Sequence, residues 1–180
     1  MSDPRPAWLP APIPFGGDWD TFVRTLYGIF EVDFKTSRPR FRGCAVWHDR
    51  RVEADDKFGF EEGFWHLISR DQWVFDRKTR RNEKQRLPEL TRAGRLPWAR
   101  PTIDYETDPV IRVWNSEAQT KRGPSVRTNL WIVDWDYHVV LERQATLKFG
   151  DVFMLITSYM VDMPGQREKL NRSYENRLKK

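Results

Sequence analysis

Apolar residues first recur at helical spacing over residues 19–30. Trp19, Phe22, Val23, Leu26, Tyr27 and Phe30 fall at i, i+3, i+4, i+7, i+8 and i+11. This spacing gathers them on one helix face, with Asp18 or Asp20 able to cap the first turn. Such a stripe is a packing surface. Upstream, prolines 4, 6, 10, 12 and 14 and the pair Gly16-Gly17 argue against helix or central strand, because proline fixes φ and has no N–H to donate. An extended lead-in is expected, pinned by Trp8, Leu9, Ile13 and Phe15. Residues 44–47 read as a strand and the charged stretch 48–62 as a loop. Residues 64–69 read as a buried strand or the start of a short helix. Residues 78–84 are expected to form a loop. Pro88 as a first helical residue and Gly94 as a stop predict a short helix over 88–93.

The period changes in the C-terminal half. Residues 110–114 are β-branched and aromatic, and 121–125 read as a turn or loop. Residues 129–133 and 137–141 flank Asp134-Trp135-Asp136 as a hairpin would. Residues 151–161 form a third long strand. Alternation there puts Phe153, Leu155, Thr157 and Tyr159 on one face, and Val152, Met154, Ile156, Ser158 and Met160 on the other. Successive strands with short turns predict an α+β fold, its N-terminal helix packed on an antiparallel sheet. Leu170, Tyr174 and Leu178 at i, i+4 and i+8 add a terminal helix. The chain divides into a proline-rich lead-in (1–17), one domain (18–163) and a basic C-terminal helix (164–180).

Composition narrows the function. A chain of 180 residues with nine Trp and 14% aromatics can build one core. A single cysteine, Cys44, excludes an internal disulfide framework and a cysteine-rich zinc site. His48, His66 and His138 lack metal-ligand spacing, and no glycine-rich phosphate loop is present, so neither metal nor cofactor is expected. No apolar run is long enough to span a membrane, and the N-terminus lacks the order of a signal peptide; a cytoplasmic protein is expected. Net charge is +5. It is unevenly spread: residues 77–100 hold nine cations against Glu83 and Glu89, and residues 166–180 hold six against Glu168 and Glu175. An anionic partner is favoured.

The candidate chemistry follows from three features. Residues 34–43 interleave Lys35, Arg38, Arg40 and Arg42 with Phe34 and Phe41, a mixture that suits phosphates and bases. Arg92, Arg95 and Arg100 lie beside Leu96, Pro97 and Trp98, which would hold them as a phosphate clamp. His66 sits among apolar neighbours, where an imidazole is easily poised near neutral pH. No nucleophile elbow appears. These residue types suit metal-independent RNA cleavage, in which the 2′-hydroxyl is the nucleophile and the protein supplies base, acid and cations.

Four segments carry a resemblance: 34–39 (FKTSRP), 62–67 (EGFWHL), 86–98 (RLPELTRAGRLPW) and 155–159 (LITSY). Across residues 18–162 the chain resembles phage- and toxin-associated nucleases of the barnase–EndoU–colicin–RelE group. The resemblance implies N-terminal helices followed by a sheet of about four antiparallel strands. It also implies a site made of His66, Arg92 or Arg95, and Thr157 with Tyr159 nearby. Lys35, Arg38, Arg86, Arg100 and Trp98 are the expected substrate contacts. Many members use two histidines; His48 and His138 have no motif here, which leaves Tyr159, a cation or water as the acid. The expected activity is a toxin-like endoribonuclease acting on RNA, tRNA included, with a cognate inhibitor protein as a further partner. The rival expectations are a non-enzymatic nucleic-acid-binding protein and a phage accessory protein that binds a protein partner.

Overall fold

The computed structural model describes residues 5–120 and 123–178. Helix α1 (Trp19–Phe30) begins where the Asp18 carboxylate accepts from the Thr21 N–H at 2.7 Å, and it buries Phe22, Val23, Leu26 and Phe30. It runs on into a π-helical turn, Glu31–Thr36. Strands β1 (Arg40–Phe41) and β2 (Cys44–Trp47) precede the expected loop, and α2 (Glu62–Ile68) follows it. Residues 64–69 are thus mostly helix, with Phe64, Leu67 and Ile68 turned into the core. After β3 (Ser69–Asp76) and β4 (Arg81–Pro88) come α3 (Leu90–Ala93), a 3-10 turn (Leu96–Trp98) and α4 (Ala99–Asp104). The second half is β5 (Ile111–Thr120), β6 (Gly123–Ile132), β7 (Tyr137–Thr146), β8 (Gly150–Met160) and α5 (Gln166–Glu175).

The fold is α+β, but its sheet is larger than expected and mixed. Strands β5 to β8 form the antiparallel meander that the sequence pattern indicates. The full sheet has six strands in the order β1-β2-β8-β7-β6-β5, and β2 runs parallel to β8 through Val46↔Phe153 and Trp47↔Met154. Parallel neighbours need a crossover connection. Here the crossover is most of the chain, so no local pattern announces it.

Helices α2 and α4 lie directly on the sheet, while α1 packs on the 3-10 turn beside them. Their apolar faces merge with Leu130, Ile132, Val139, Leu141, Phe153 and Leu155 in one core. The opposite sheet face carries a second cluster of Trp114, Trp131, Val161 and Leu170, which α5 covers. The lead-in is extended and tied down: Ile13 donates to the Gly94 carbonyl at 2.7 Å, and Trp8 stacks on Tyr105.

Several local expectations change. Residues 78–80 do form a turn, but 81–84 belong to a strand: β3 and β4 pair from Ser69↔Pro88 to Asp76↔Arg81 as a separate two-stranded ribbon. Its strands are mostly exposed and need no apolar alternation, which is the pattern that sequence reading detects. Pro88 ends β4, and Glu89 caps α3 instead. Gly123, Pro124 and Ser125 open β6, while Lys121 and Arg122 lie outside the described residues. Strand β8 carries a bulge, since Leu141↔Leu155 is followed by Val140↔Thr157 with Ile156 unpaired. An extra residue shifts the alternation by one. Thr157 and Tyr159 therefore share a face with each other but not with Phe153 and Leu155. The terminal helix stops at Glu175, and its Arg167, Lys169 and Arg172 are nearly balanced by Glu168 and Glu175. The excess positive charge expected of it belongs to Arg177, beyond the helix, and to Lys179 and Lys180, outside the described residues.

Candidate active site

Helix α2 is held by close backbone approach. The Gly63 N–H donates to the Asp49 carbonyl at 2.9 Å, and a Cβ on Gly63 would meet that oxygen at 2.9 Å. Trp65 adds an indole hydrogen bond to Asp56 at 3.0 Å. The helix then runs along β8 beyond the point where β2 stops pairing with it.

Arg92 clamps the C-terminal end of α2. It is only 6% exposed. Its Nε donates to the Leu67 carbonyl at 3.2 Å, and one terminal nitrogen donates to the His66 carbonyl and to Thr157 Oγ1, the latter at 2.5 Å. The Thr157 hydroxyl in turn donates to the His66 carbonyl at 3.1 Å. The Arg92 guanidinium also lies 5.9 Å from the centre of the Tyr159 ring. Burial lowers its pKa to about 10, so the cation persists at neutral pH and meets the partial negative charge of helix-end carbonyls. The structure brings His66, Arg92, Thr157 and Tyr159 together. The group of His66 that Arg92 and Thr157 touch is its carbonyl, not its imidazole.

The imidazole faces another way. Its Nε2 lies 3.3 Å from Glu62 Oε2, one turn earlier on α2, and the side chain is 28% exposed. Burial lowers the His66 pKa, the Arg86 cation adds to this, and Asp49, a hydrogen bond from the ring to the Ile156 backbone and Asp71 oppose it. At pH 7 the ring is therefore mainly neutral. Arg86 sits on β4, paired with Asp71 of β3 at 3.2 Å. Glu62 and Arg86 both line a cavity of about 300 Å³ with Glu53, Asp55, Asp56, Trp65, Ser69 and Pro88. This arrangement can take up a proton beside a cation.

The other expected contacts do not converge on this site. Arg95 lies over the Trp98 ring at 5.1 Å and donates to the Thr91 carbonyl at 3.0 Å. Trp98 is 2% exposed and bonds the Pro10 carbonyl, so no base can stack on it. Arg100 is held by Asp104 at 2.5 Å and by the carbonyls of Asp33 and Ser37. Lys35 is held by Glu61 at 2.9 Å, Glu31 at 3.2 Å and the Tyr27 hydroxyl at 2.8 Å. Burial alone would lower its pKa, but the bonds to Tyr27 and Glu61 outweigh burial and raise it. Arg38 is exposed and lines a different cavity with Arg40, Trp47, Phe149 and Asp151. Arginines beside apolar groups are indeed held in place, but by backbone carbonyls and neighbouring carboxylates.

One polar array escaped the sequence reading. His138 lies on β7, with Nδ1 2.8 Å from the Tyr159 hydroxyl and Nε2 3.1 Å from Asn129 Oδ1. The Asn129 amide nitrogen donates to Ser116 at 2.9 Å. Its oxygen therefore accepts from His138 Nε2–H, and Tyr159 donates to Nδ1. Trp114 stacks on the imidazole at 5.8 Å. Burial drops the His138 pKa to about 3 and raises that of Tyr159. The signal lay in strand register: Trp131↔His138 and His138↔Tyr159 are direct partners, and Asn129 is two residues from Trp131.

Among the described residues, no group of three or more His, Cys, Asp or Glu is placed to hold a metal ion, and no helix is long and apolar enough to cross a membrane. No family model, curated protein or solved structure matches the chain.

Proposed function

We propose that this protein is a metal-independent endoribonuclease with His66 as its general base. The observation that carries the reading is the partly buried His66 imidazole, 3.3 Å from Glu62, which lines one cavity with the Arg86 cation. The resemblance to the barnase–EndoU–colicin–RelE group supports it, as does the order of helices followed by the β5–β8 meander. His66 takes the proton of a 2′-hydroxyl, whose oxygen attacks the adjacent phosphorus. The bond from phosphorus to the 5′ oxygen breaks, which leaves a cyclic phosphate and a free 5′-hydroxyl. Arg86 neutralises the phosphate, and Glu62 stabilises the imidazolium as it forms. The Tyr159 hydroxyl is committed to His138, so water protonates the leaving oxygen. Arg92 and Thr157 are positioning residues that fix the end of α2.

A second reading, nucleic-acid binding without cleavage, draws on the carboxylates Glu53, Asp55, Asp56 and Glu62 that line the cavity and oppose phosphate there. One experiment separates the two. Purified protein is incubated with total RNA in EDTA, beside a His66→Ala variant. The expected result is cleavage that ends in cyclic phosphate, slowed about 10²–10⁴-fold in the variant, as is usual on loss of a positioned base. Intact RNA favours the second reading, and equal cleavage by both proteins removes His66 as the base.

A further inference from the structure

We propose that the β3–β4 ribbon is a binding arm for single-stranded RNA, on which Trp73 and Phe75 each stack one base. The arm leads to Arg86 and His66, and in that respect it rests on the ribonuclease reading; binding to the arm does not require cleavage.

The ribbon stands apart from the six-stranded sheet. Trp73 is 72% exposed and Phe75 is 59% exposed. Two large rings in solvent are unfavourable unless something covers them. Being two residues apart on one strand, they point to the same face, with attachment points roughly 7 Å from each other. Asp71 shares that face, and its cross-strand partner is Arg86. The stacking rings are therefore in line with Arg86, the cation that shares a cavity with Glu62.

Charge selects the occupant. Residues 69–88 contain seven Lys and Arg against three Asp and Glu, a balance of +4 within a chain of +5. Cations along a strand with exposed rings fit a polyanion that also carries flat apolar groups, which describes a nucleic-acid strand. A duplex hides the faces of its bases, so the strand is single. A second copy of the chain is disfavoured, because edge-to-edge pairing would bring two arms of like charge together.

The test is fluorescence anisotropy with a labelled uridine oligomer about ten nucleotides long, measured in the His66→Ala background and checked by circular dichroism. Trp73→Ala and Phe75→Ala each weaken binding about tenfold, in keeping with the loss of one stacked base, without changing its salt dependence. Trp73→Lys weakens binding although it adds a cation. Arg77→Ala with Arg81→Ala flattens the log–log salt slope by roughly 0.7 for each phosphate that is no longer neutralised. Tighter binding by Trp73→Lys, equal binding of a duplex, or displacement of the oligomer by polyglutamate at matched charge overturns the arm; the last result points to an acidic protein partner. Wild-type protein separates the two proposals. RNA that is bound but never cut removes the nuclease and leaves the arm. RNA cut equally by wild type and Trp73→Ala/Phe75→Ala removes the arm and leaves the nuclease.

Discussion

The hydrogen bonds of Arg92 end on neutral oxygens: the carbonyls of His66 and Leu67 and the Thr157 hydroxyl. Removing the side chain takes a donor from each of these buried acceptors, leaves the His66 carbonyl with only its bond from Thr157, and opens a void. Arg92→Ala should cost about 2–4 kcal/mol, and Thr157→Val about 1 kcal/mol, measured by urea unfolding; a loss within error for both would show that the clamp is not structural. The two deeply buried histidines set a pH dependence. Burial holds His48 at about 4 and His138 at about 3, against an ordinary 6.5. An unfolded chain takes up both protons near pH 6.5, whereas the folded chain resists until much lower pH. Stability is therefore full above about pH 6.5 and falls as pH drops toward 4 and 3, by about 1.4 kcal/mol per unit for each histidine at most. Urea midpoints at pH 7 and pH 4.5 check this, and His138→Gln should flatten the trend; an unchanged slope in that variant would refute it. At this scale the sequence named His66, Arg92, Thr157 and Tyr159 as neighbours. It could not show that Arg92 meets a carbonyl, because a carbonyl belongs to every residue and leaves no mark in composition.

Among the elements, α1 was legible because an amphipathic helix writes its period into its residues. The β3–β4 ribbon was not, because a ribbon that buries little has no apolar period to write. Helix α2 was ambiguous for a related reason: seven residues with Phe64, Trp65, Leu67 and Ile68 suit a buried strand as well as a short helix. Its placement depends on Gly63, where a methyl group would meet Asp49 backbone and the His48 Cβ at about the same 2.9 Å. Gly63→Ala should displace α2, lower the melting temperature and reduce any activity that depends on His66. Normal activity in a fully folded Gly63→Ala protein would show that the position of α2 does not matter. Gly94 plays the same part for the lead-in, since a Cβ there would lie 2.6 Å from the Ile13 carbonyl. Gly94→Ala should release residues 8–13 to limited proteolysis.

For the whole molecule, α+β class and the meander could be read from strand spacing. The sheet's two faces and its outer strands could not, because they depend on pairings far apart in sequence. Helix α5 covers Trp114 and Trp131 on the face away from α2. A chain ending at Met163 should expose both indoles and bind a hydrophobic dye, with a clear loss of thermal stability. Unaltered dye binding would mean that α5 is an accessory to the fold.

The parallel pairing of β2 with β8 also sets an order of events during synthesis. Val46 leaves the ribosome early, but its partner Phe153 emerges more than a hundred residues later. The hairpins β5–β6 and β6–β7 can close as soon as they emerge, whereas β2 must wait, and such distant contacts slow folding. Thr157, which bonds the end of α2, arrives with the same last strand. A nascent chain that lacks β8 thus lacks the hydroxyl that fixes the end of α2, the helix that carries His66. Chemistry that needs α2 held in place therefore begins only once β8 has been made.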